Sequence, residues 1–275
     1  RFLATEGCAQ ICAMSDAPQL LIVAAESAPW TDALMALASP HRRTLVVAPE
    51  AEIATSAVEV VVGAPPDLAA IIPRCPQLRW VQSTWAGIDA IAHFASETLQ
   101  ITPLKGEFGP AMTEYVMGWL LAIERNVISR ASHTQWTPFL EPRITGKRLG
   151  IMGTGGIGTA IAVAARSFGV ELTGLNSDGH AVDGFTARYP SADRLAFAEG
   201  LDYLVSALPQ TSQTDNLIDH EVLMRLNPRA IVINAGRGNA VVEADLIASL
   251  NAGHVGAAVL DVFREEPLPP DDPLW

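Results

Sequence analysis

The chain has 275 residues, of which 49% are hydrophobic and 17% are charged, and its formal net charge is −12. The hydrophobic share excludes an intrinsically disordered protein, and the negative charge argues against a nucleic-acid-binding protein, which would present a basic surface. The longest uncharged apolar run beside a predicted helix, Tyr115 to Ile123, is too short for a membrane span, which takes about 20 residues.

The cysteine content and the N-terminal sequence bear on the cellular compartment in which the protein is found. Cys8, Cys12 and Cys75 are too few for a disulfide framework in a chain of this length, and they predict no metal site. No basic segment followed by an apolar one marks a secretory signal, so we predict a cytoplasmic protein. The stretch from Met14 resembles a natural start, and we expect residues 1–13 to be a leader or an expression remnant outside the fold.

Residues 14–109 predict a small α/β domain. Short β-rich runs alternate with helical patterns, and Pro65–Pro66 and Pro73 separate them. Strands joined through short helices indicate crossover units and a parallel sheet. The predicted strands are 20–26, 44–50, 58–64, 78–84 and 99–104, with a helix over 32–38.

Residues 110–275 predict a long helix followed by a second α/β series. The sustained helical pattern of residues 110–130 is long enough to link two domains, and residues 136–144 predict a loop. Two domains suit the chain length, since one domain takes about 150 residues. The predicted strands of the second series are 148–153, 170–175, 201–208, 230–236 and 255–262.

A glycine-rich turn predicts a dinucleotide site. An apolar strand leads into the pattern G-x-G-x-x-G, and an Ala-rich helix predicted over 159–168 follows it. Gly153 permits the tight turn, Gly155 lets the backbone approach a pyrophosphate, and Gly158 lets helix and strand pack closely. The helix N-terminus offers free N–H groups to phosphates. The predicted cofactor-binding residues of this turn are Gly153, Thr154, Gly155, Gly156, Ile157 and Gly158, although a plain strand-to-helix turn stays an alternative.

The end of the next predicted strand bears on the choice between NAD and NADP. An acid at this position binds the ribose 2′-OH of NAD, but the sequence has Asn176 followed by Ser177. Neutral side chains do not repel a 2′-phosphate, which favours NADP, although no Arg is present to clamp it and only His180 is near in sequence. Asp178 would instead serve NAD as a displaced acid, so both cofactors stay open.

These motifs are part of a longer resemblance. The segments GIMGTGGIGTAIA, ALPQTSQTDNLI and INAGRGNAVVEADLIASL, together with the run up to EEPLPPDDPLW, are similar to the D-isomer-specific 2-hydroxyacid dehydrogenases, above all to their glyoxylate/hydroxypyruvate reductase branch. WVQSTWAGIDAI and KGEFGPAMTEYVMGWLLA match more loosely, so the resemblance extends from Leu20 to Trp275. It implies a Rossmann domain and a smaller flavodoxin-like α/β substrate domain that flank a cleft, and a homodimer.

The resemblance also implies residue roles. Arg237 corresponds to the catalytic Arg, whose forked guanidinium would bind the substrate carboxylate and polarise its carbonyl. Glu266 corresponds to the acid that pairs with a catalytic His, and Asp261 to the residue that holds the nicotinamide carboxamide. The remaining implied contacts are Leu208, Pro209 and Ala235 for the dinucleotide, and Trp85, Ala86 and Gly87 for the substrate.

Each of these residues has a simpler explanation when it is read without the resemblance. Arg237 would be a surface side chain in a turn, and Glu266 a solvated loop charge. Asp261 would be a helix cap at the end of a strand. Trp85 would be a core aromatic residue as readily as a pocket wall.

The sequence departs from the family pattern at the general acid/base. The resemblance places this role on a His in a Pro-His motif shortly after Pro-Leu-Trp, and the sequence ends at Trp275. His220 precedes a predicted helix and His254 is expected at the surface, so neither takes the role. We expect the sequence to lack a C-terminal return segment with this His, and the 275 residues to bind dinucleotide but turn over poorly.

The sequence therefore predicts an oxidoreductase. It would reduce a small 2-oxo acid, such as glyoxylate or hydroxypyruvate, to the D-2-hydroxy acid with NADPH or NADH. The alternative is a non-catalytic, dinucleotide-sensing or corepressor-like protein of the same fold. The LDVF, EPLP and PLW segments disfavour another Rossmann enzyme, such as a methyltransferase.

Overall fold

The computed structural model of the chain describes residues 18–24, 28–37, 43–138, 140 and 142–275. The chain divides into two compact units between Lys105 and Gly106, whereas the sequence predicts a boundary after residue 109. The predicted leader, residues 1–13, lies outside the described residues.

The first unit is built on a parallel sheet of five strands. Its strands and helices are β1 (Leu20–Val23), α1 (Thr31–Leu37), β2 (Thr44–Val47), β3 (Val60–Gly63), α2 (Pro65–Ile71), β4 (Trp80–Ser83) and β5 (Gln100–Thr102), with 3₁₀ turns at Ile72–Arg74 and Ala92–Phe94. The strand order is β2-β1-β3-β4-β5, and all four pairings are parallel. This is the flavodoxin-like order, which confirms the predicted α/β class of this unit.

The core of the first unit lies on one face of its sheet. Leu21, Val61 and Val81 occupy the middle of three neighbouring strands and are fully buried, and they pack against Leu68 and Ile71 of α2. The prolines Pro65 and Pro66, which the sequence analysis takes as punctuation between strands, in fact begin α2. Proline suits the first turn of a helix because that turn needs no N–H donor.

The second unit is built on a parallel sheet of six strands. Its strands and helices are α3 (Phe108–Glu124), α4 (Val127–Ala131), β6 (Arg148–Met152), α5 (Gly156–Arg166), β7 (Glu171–Asn176), β8 (Ala187–Pro190), α6 (Arg194–Ala198), β9 (Tyr203–Ser206), α7 (His220–Arg225), β10 (Ala230–Asn234), α8 (Glu243–Asn251) and β11 (Val255–Leu260), with 3₁₀ turns at Ser191–Asp193 and Gly238–Ala240. The strand order is β11-β10-β9-β6-β7-β8. Counted from β6, this is the Rossmann order 3-2-1-4-5-6, as predicted.

Alternate side chains of this sheet enter two separate cores. Leu149 and Ile151 of β6 face the core that contains α3 and α5, whereas Met152 belongs to the core that contains α6, α7 and α8. Helices therefore cover both faces, as in doubly wound α/β folds. The chain builds one half of the sheet from β6 to β8 and then returns to place β9 on the other side of β6. In such sheets ligands bind at the carboxyl ends of the strands, at the point between β6 and β9 where the strand order reverses.

The predicted linking helix belongs to the second unit and is broken into two. Asn126 adopts a left-handed backbone conformation with φ of 53°, which ends α3 and separates it from α4. Glu124 at the end of α3 accepts hydrogen bonds from Tyr203 Oη (2.9 Å) and Lys147 Nζ (2.7 Å). Burial, and then this contact with Glu124, raise the pKa of Tyr203. The network attaches α3 to the amino-terminal edge of the sheet.

Two further findings concern the described residues alone. None of their helices has both the length and the apolar character that a membrane crossing requires. Nor do three or more potential metal ligands come together among them. Cys75 is buried in the first unit as a free thiol, and burial raises its pKa.

Candidate active site

Three loops pack backbone to backbone at the carboxyl edge of the second sheet. Gly153, which follows β6, has a φ of +92°, and a Cβ atom there would lie 2.7 Å from the carbonyl oxygen of Ala207. A Cβ atom on Gly236, which follows β10, would lie 2.6 Å from both the nitrogen and the oxygen of Leu208. Only glycine fits these two positions, because backbone atoms cannot move aside as a side chain can.

The glycine-rich turn leads directly into α5, which begins at Gly156, earlier than predicted. A Cβ atom on Gly158 would lie 2.0 Å from the carbonyl oxygen of Gly153, so the helix and the turn are in contact. By contrast, a Cβ atom on Gly155 or Gly156 would meet nothing within 4 Å. Gly155 is the N-cap residue of α5, and no side chain of the described residues accepts a hydrogen bond from the first turn of the helix.

This geometry fits the pyrophosphate of a dinucleotide. A helix N-terminus with unbonded N–H groups and a positive dipole end attracts phosphate, and glycines without side chains let the phosphate approach the backbone. Ser206, at the end of β9, adds a buried hydroxyl without a hydrogen-bond partner among the described residues. The residues of the turn, Gly155 to Gly158, would hold the pyrophosphate.

Asn176, predicted to contact the ribose, is buried and its side chain is occupied by the protein. Its Nδ2 donates to Thr154 Oγ1 and to the carbonyl oxygen of His180, both at 3.1 Å. Its Oδ1 accepts from the Gly179 amide at 2.6 Å. The carboxamide thus joins the glycine-rich turn to the loop after β7.

The loop after β7 presents its other polar side chains to solvent. Ser177, Asp178 and His180 are exposed. Asp178 Oδ1 lies 2.5 Å from His180 Nδ1 and accepts from the His180 amide at 3.1 Å. These hydrogen bonds from His180 lower the pKa of Asp178, so the carboxylate is ionised at neutral pH.

Arg237 lies in a turn that a buried asparagine organises. Asn234, the last residue of β10, donates to the carbonyl oxygen of Arg237 (3.0 Å) and accepts from the Gly236 amide (3.2 Å). Arg237 is half-buried and its Nη1 donates to the Gly236 carbonyl oxygen at 2.8 Å. A Cβ atom on Gly238 would lie 1.9 Å from the Phe263 oxygen, so the loops after β10 and β11 are also in backbone contact.

The two predicted acids lie in the loop after β11. Asp261 follows the strand directly, its amide donates to the Asn234 oxygen at 3.0 Å, and its side chain is exposed. Burial, and then the charge of Asp261, raise the pKa of Tyr115 in α3. Glu266 is exposed, and its Oε1 accepts from the Phe263 amide at 2.9 Å, which fixes the carboxylate to its own loop.

The predicted backbone contacts to the dinucleotide come from the loops after β9 and β10. Leu208 is buried and Pro209 is exposed, and the Pro209 oxygen accepts from Thr214 Oγ1 at 2.7 Å. The Ala235 amide donates to the Ser206 oxygen at 2.9 Å. The Ala235 amide is therefore bonded within the sheet edge, so a dinucleotide contact of this residue would use its carbonyl oxygen.

In the first unit, the predicted substrate loop follows β4. Trp85 is 51% exposed, which is not the burial of a core aromatic residue. Ser83, fully buried, accepts from the Trp85 amide (2.9 Å) and donates to its carbonyl oxygen (3.0 Å). Within the part of the chain that the structure describes, the amides of Ala86 and Gly87 donate to no backbone carbonyl oxygen. Two successive free amides are the form of a backbone anion site.

Sequence reasoning missed the polar residues that end the strands. Ser83, Ser206 and Asn234 are the last residues of β4, β9 and β10, and each is 0% exposed. Each terminates an apolar run at the edge where ligands bind in parallel sheets. This position, a polar residue closing an apolar strand, is the signal that would have identified them.

Comparisons with known proteins place this site in a family. Residues 117–275 match the D-isomer specific 2-hydroxyacid dehydrogenase, NAD binding domain. The chain is 36% identical over 168 residues to a protein named glyoxylate/hydroxypyruvate reductase A from Yersinia enterocolitica, with 60% of this chain and 53% of that protein covered. It is 35% identical over 222 residues to a glyoxylate/hydroxypyruvate reductase B from Citrobacter koseri, with 75% and 67% covered. The aligned part is thus about half to two thirds of these relatives' length.

Solved structures show the same fold. A D-isomer specific 2-hydroxyacid dehydrogenase family protein from Aeromonas salmonicida superposes with a TM-score of 0.82 at 31% identity, over 94% of this chain and 86% of that one. An NADPH-dependent glyoxylate/hydroxypyruvate reductase from Sinorhizobium meliloti, in complex with NADP and sulfate, gives 0.80 at 27% identity, over 94% and 85%.

The family match includes the glycine-rich turn, Arg237 and both acids after β11. The six strands around that turn have the Rossmann order, and within the described part of the chain no side chain caps the first turn of α5. The chain therefore belongs to the D-isomer specific 2-hydroxyacid dehydrogenases, a family of NAD(P)-dependent oxidoreductases.

Proposed function

We propose that the protein reduces a small 2-oxo acid, of the size of glyoxylate or hydroxypyruvate, to the D-2-hydroxy acid. The observation that carries the proposal is the uncapped first turn of α5 at the same sheet edge as Arg237. Relatives at 35–36% identity are named glyoxylate/hydroxypyruvate reductases, which supports this substrate class.

Arg237 has the chemistry that this reaction needs. Its guanidinium would donate to the substrate carboxylate and to the carbonyl oxygen, on which negative charge develops during reduction. The bound dinucleotide supplies the hydride that adds to the carbonyl carbon. The amides of Ala86 and Gly87 would hold the carboxylate, and Trp85 would form a wall of the substrate site.

Glu266 would act through the histidine that the family resemblance assigns as proton donor. A carboxylate beside an imidazole favours the protonated imidazolium and so raises its pKa. The bond from the Phe263 amide to Glu266 Oε1 holds the carboxylate in one orientation, and Oε2 is then the atom available to a histidine. Asp261 would accept from the nicotinamide carboxamide.

NADPH is the dinucleotide that we propose. No carboxylate stands at the end of β7, where Asn176 replaces the acid that binds the ribose of NAD. The Sinorhizobium meliloti structure, which is named as NADPH-dependent, supports the same choice. NADH stays the alternative because Asp178 is exposed in the adjoining loop.

We also propose that the protein is a cytoplasmic homodimer. The segment around α4 exposes large apolar side chains: Ile128 is 63% exposed, Trp136 94% and Leu140 95%. Clustered apolar exposure of this kind marks interaction surfaces. Sedimentation analysis is expected to give twice the chain mass, and a monomer at micromolar concentration would contradict the dimer.

Titration calorimetry and a turnover assay test the proposed function together. We expect the chain to bind NADPH, and G155V to abolish binding because its side chain would fill the space that the pyrophosphate needs. Unchanged affinity of G155V would remove the dinucleotide site. Oxidation of NADPH with glyoxylate or hydroxypyruvate, in a chain that carries the family's Pro-His motif, tests the reaction. Binding without turnover in such a chain would favour a dinucleotide-sensing protein.

A further inference from the structure

The loop after β7 is held to the glycine-rich turn by one buried side chain. Asn176 uses both N–H groups of its carboxamide, one on Thr154 Oγ1 and one on the His180 carbonyl oxygen, and its oxygen receives the Gly179 amide. The side chain is 9% exposed. A carboxamide whose two N–H groups both donate within the protein cannot also donate to a ribose or a phosphate.

Thr154 is in turn fixed to the start of α5. It is 7% exposed, and its carbonyl oxygen accepts from Thr159 Oγ1 at 3.1 Å. The bond between Asn176 and Thr154 therefore connects the two segments that the proposed site assigns to different parts of one dinucleotide, the pyrophosphate and the adenosine ribose. Binding sites depend on such supporting hydrogen bonds to hold their contacting groups within about 0.5 Å of the productive geometry.

We propose that Asn176 is a positioning residue that sets the distance between the pyrophosphate turn and the ribose loop. This inference rests on the proposed dinucleotide site and changes the role predicted for Asn176 from the sequence. Choice between NADPH and NADH then belongs to the exposed side chains that Asn176 holds in place, Asp178 and His180. Asp178 carries the charge that repels a 2′-phosphate and accepts from a ribose hydroxyl.

Affinities for the two dinucleotides separate a positioning role from a selecting role. N176D replaces the amide nitrogen with an oxygen that faces the His180 carbonyl oxygen, so one bond is lost and a repulsion appears. We expect the Kd values for NADPH and NADH both to rise about tenfold, because a buried acceptor loses its donor. The ratio of the two Kd values is expected to change by no more than about fivefold, the effect of the one unit charge that N176D adds at about 4 Å in water. A larger fall of the NADPH preference in N176D would make Asn176 the selector and overturn the proposal.

D178N is the complementary variant. It keeps the shape of the side chain and removes the charge, so we expect the NADPH preference to rise about fivefold, the effect of one unit charge at about 4 Å in water. An unchanged ratio in D178N would contradict the assignment of selection to Asp178.

Asn227 offers a matched control at the opposite edge of the same sheet. Its Nδ2 also makes two bonds, to the Gly200 oxygen and to Asp202 Oδ1, both at 3.0 Å. N227D is expected to lower the free energy of unfolding without changing either dinucleotide Kd. If N227D weakens binding as much as N176D, the effect of N176D reflects general destabilisation and the positioning role is wrong.

T154V provides a second route to the same bond if N176D does not fold. Valine keeps the shape of threonine but cannot accept from Asn176 Nδ2, and we expect it to weaken both dinucleotides at constant ratio. Because the two residues share one bond, the double variant should lose less than the sum of the two single losses. Full additivity would contradict the proposal. Absence of binding in the unsubstituted chain would instead contradict the proposed function.

Discussion

At the scale of single residues, the position of Arg237 follows from a buried asparagine. Asn234 bonds the backbone on both sides of Gly236, and glycine is required there because a Cβ atom would meet the Leu208 backbone. The turn is therefore defined by Asn234 and the glycines around it, and Arg237 leaves a fixed backbone. Such support is what a side chain needs to stabilise charge that develops in a transition state.

Removing this side chain tests its assigned role. In a chain that carries the family's Pro-His motif, we expect R237A to lower kcat/KM for glyoxylate about 100-fold or more, because the developing alkoxide loses a charged donor. R237K should recover only part of the loss, since lysine cannot donate two parallel hydrogen bonds. Calorimetry with oxalate, an unreactive dicarboxylate, measures the binding part separately. Unaltered oxalate affinity and turnover in R237A would exclude Arg237 from the site.

Backbone geometry was more predictable from the sequence than side-chain contacts were. The glycines of the turn have the conformations and close approaches that their spacing predicts. Asn176 was placed correctly at the end of a strand, but its three hydrogen-bond partners depend on the fold of the loop up to His180. Side-chain partners that come from different loops leave no periodic signal in a sequence.

At the scale of elements, the glycine-rich turn and α5 form one unit. The two glycines at the start of α5 differ in their surroundings: Gly156 faces open space, whereas Gly158 contacts the Gly153 carbonyl oxygen. Both have backbone angles that other residues adopt, since neither has a positive φ. Steric contact alone therefore distinguishes them.

Alanine at these two positions gives a matched pair for stability. We expect G158A to lower the free energy of unfolding by about 1–3 kcal/mol, because the added methyl group overlaps a backbone oxygen that cannot rotate away. G156A should leave it unchanged or raise it by up to about 1 kcal/mol, since alanine favours the helix. Urea unfolding of both variants provides the measurement. Equal stability of the two would show that α5 does not pack on the turn as described.

Strands covered on both faces were the most predictable elements. The runs LGIM and AIVI are apolar, and they form most of the buried central strands β6 and β10. The sequence analysis missed β8, whose residues ARYP combine a charge and a proline. This strand pairs with only one neighbour at the sheet edge, where such residues are tolerated. The break after α3 was equally hidden, because Asn126 is one residue in an otherwise helical pattern.

At the scale of the whole molecule, the net charge does not decide whether the protein binds a dinucleotide. A net charge of −12 would repel an anionic dinucleotide at long range, but the backbone dipoles at the start of α5 act within the first turn. Salt screens the long-range field over about 8 Å at physiological ionic strength, so the local donors decide binding. Overall composition accordingly excluded some classes of protein and gave no information on the site.

The two units have separate cores, and every predicted dinucleotide contact lies in the second. The core of the first unit consists of residues between Leu21 and Ile101. The two cores of the second unit consist of residues from Met112 onward. The second unit also has the size of an ordinary domain and a complete six-stranded sheet covered on both faces.

We therefore expect residues 106–275 to fold alone and to bind NADPH. Their urea unfolding should be cooperative, as for a single domain, and the Kd for NADPH should lie within about twofold of that of the whole chain, the variation usual between independent sites. The same fragment with G155V should not bind, which ties the signal to the glycine-rich turn. A fragment that unfolds cooperatively but binds more than about tenfold more weakly would show that the first unit contributes about 1.4 kcal/mol or more to dinucleotide affinity. The dinucleotide site would then extend beyond the residues assigned to it.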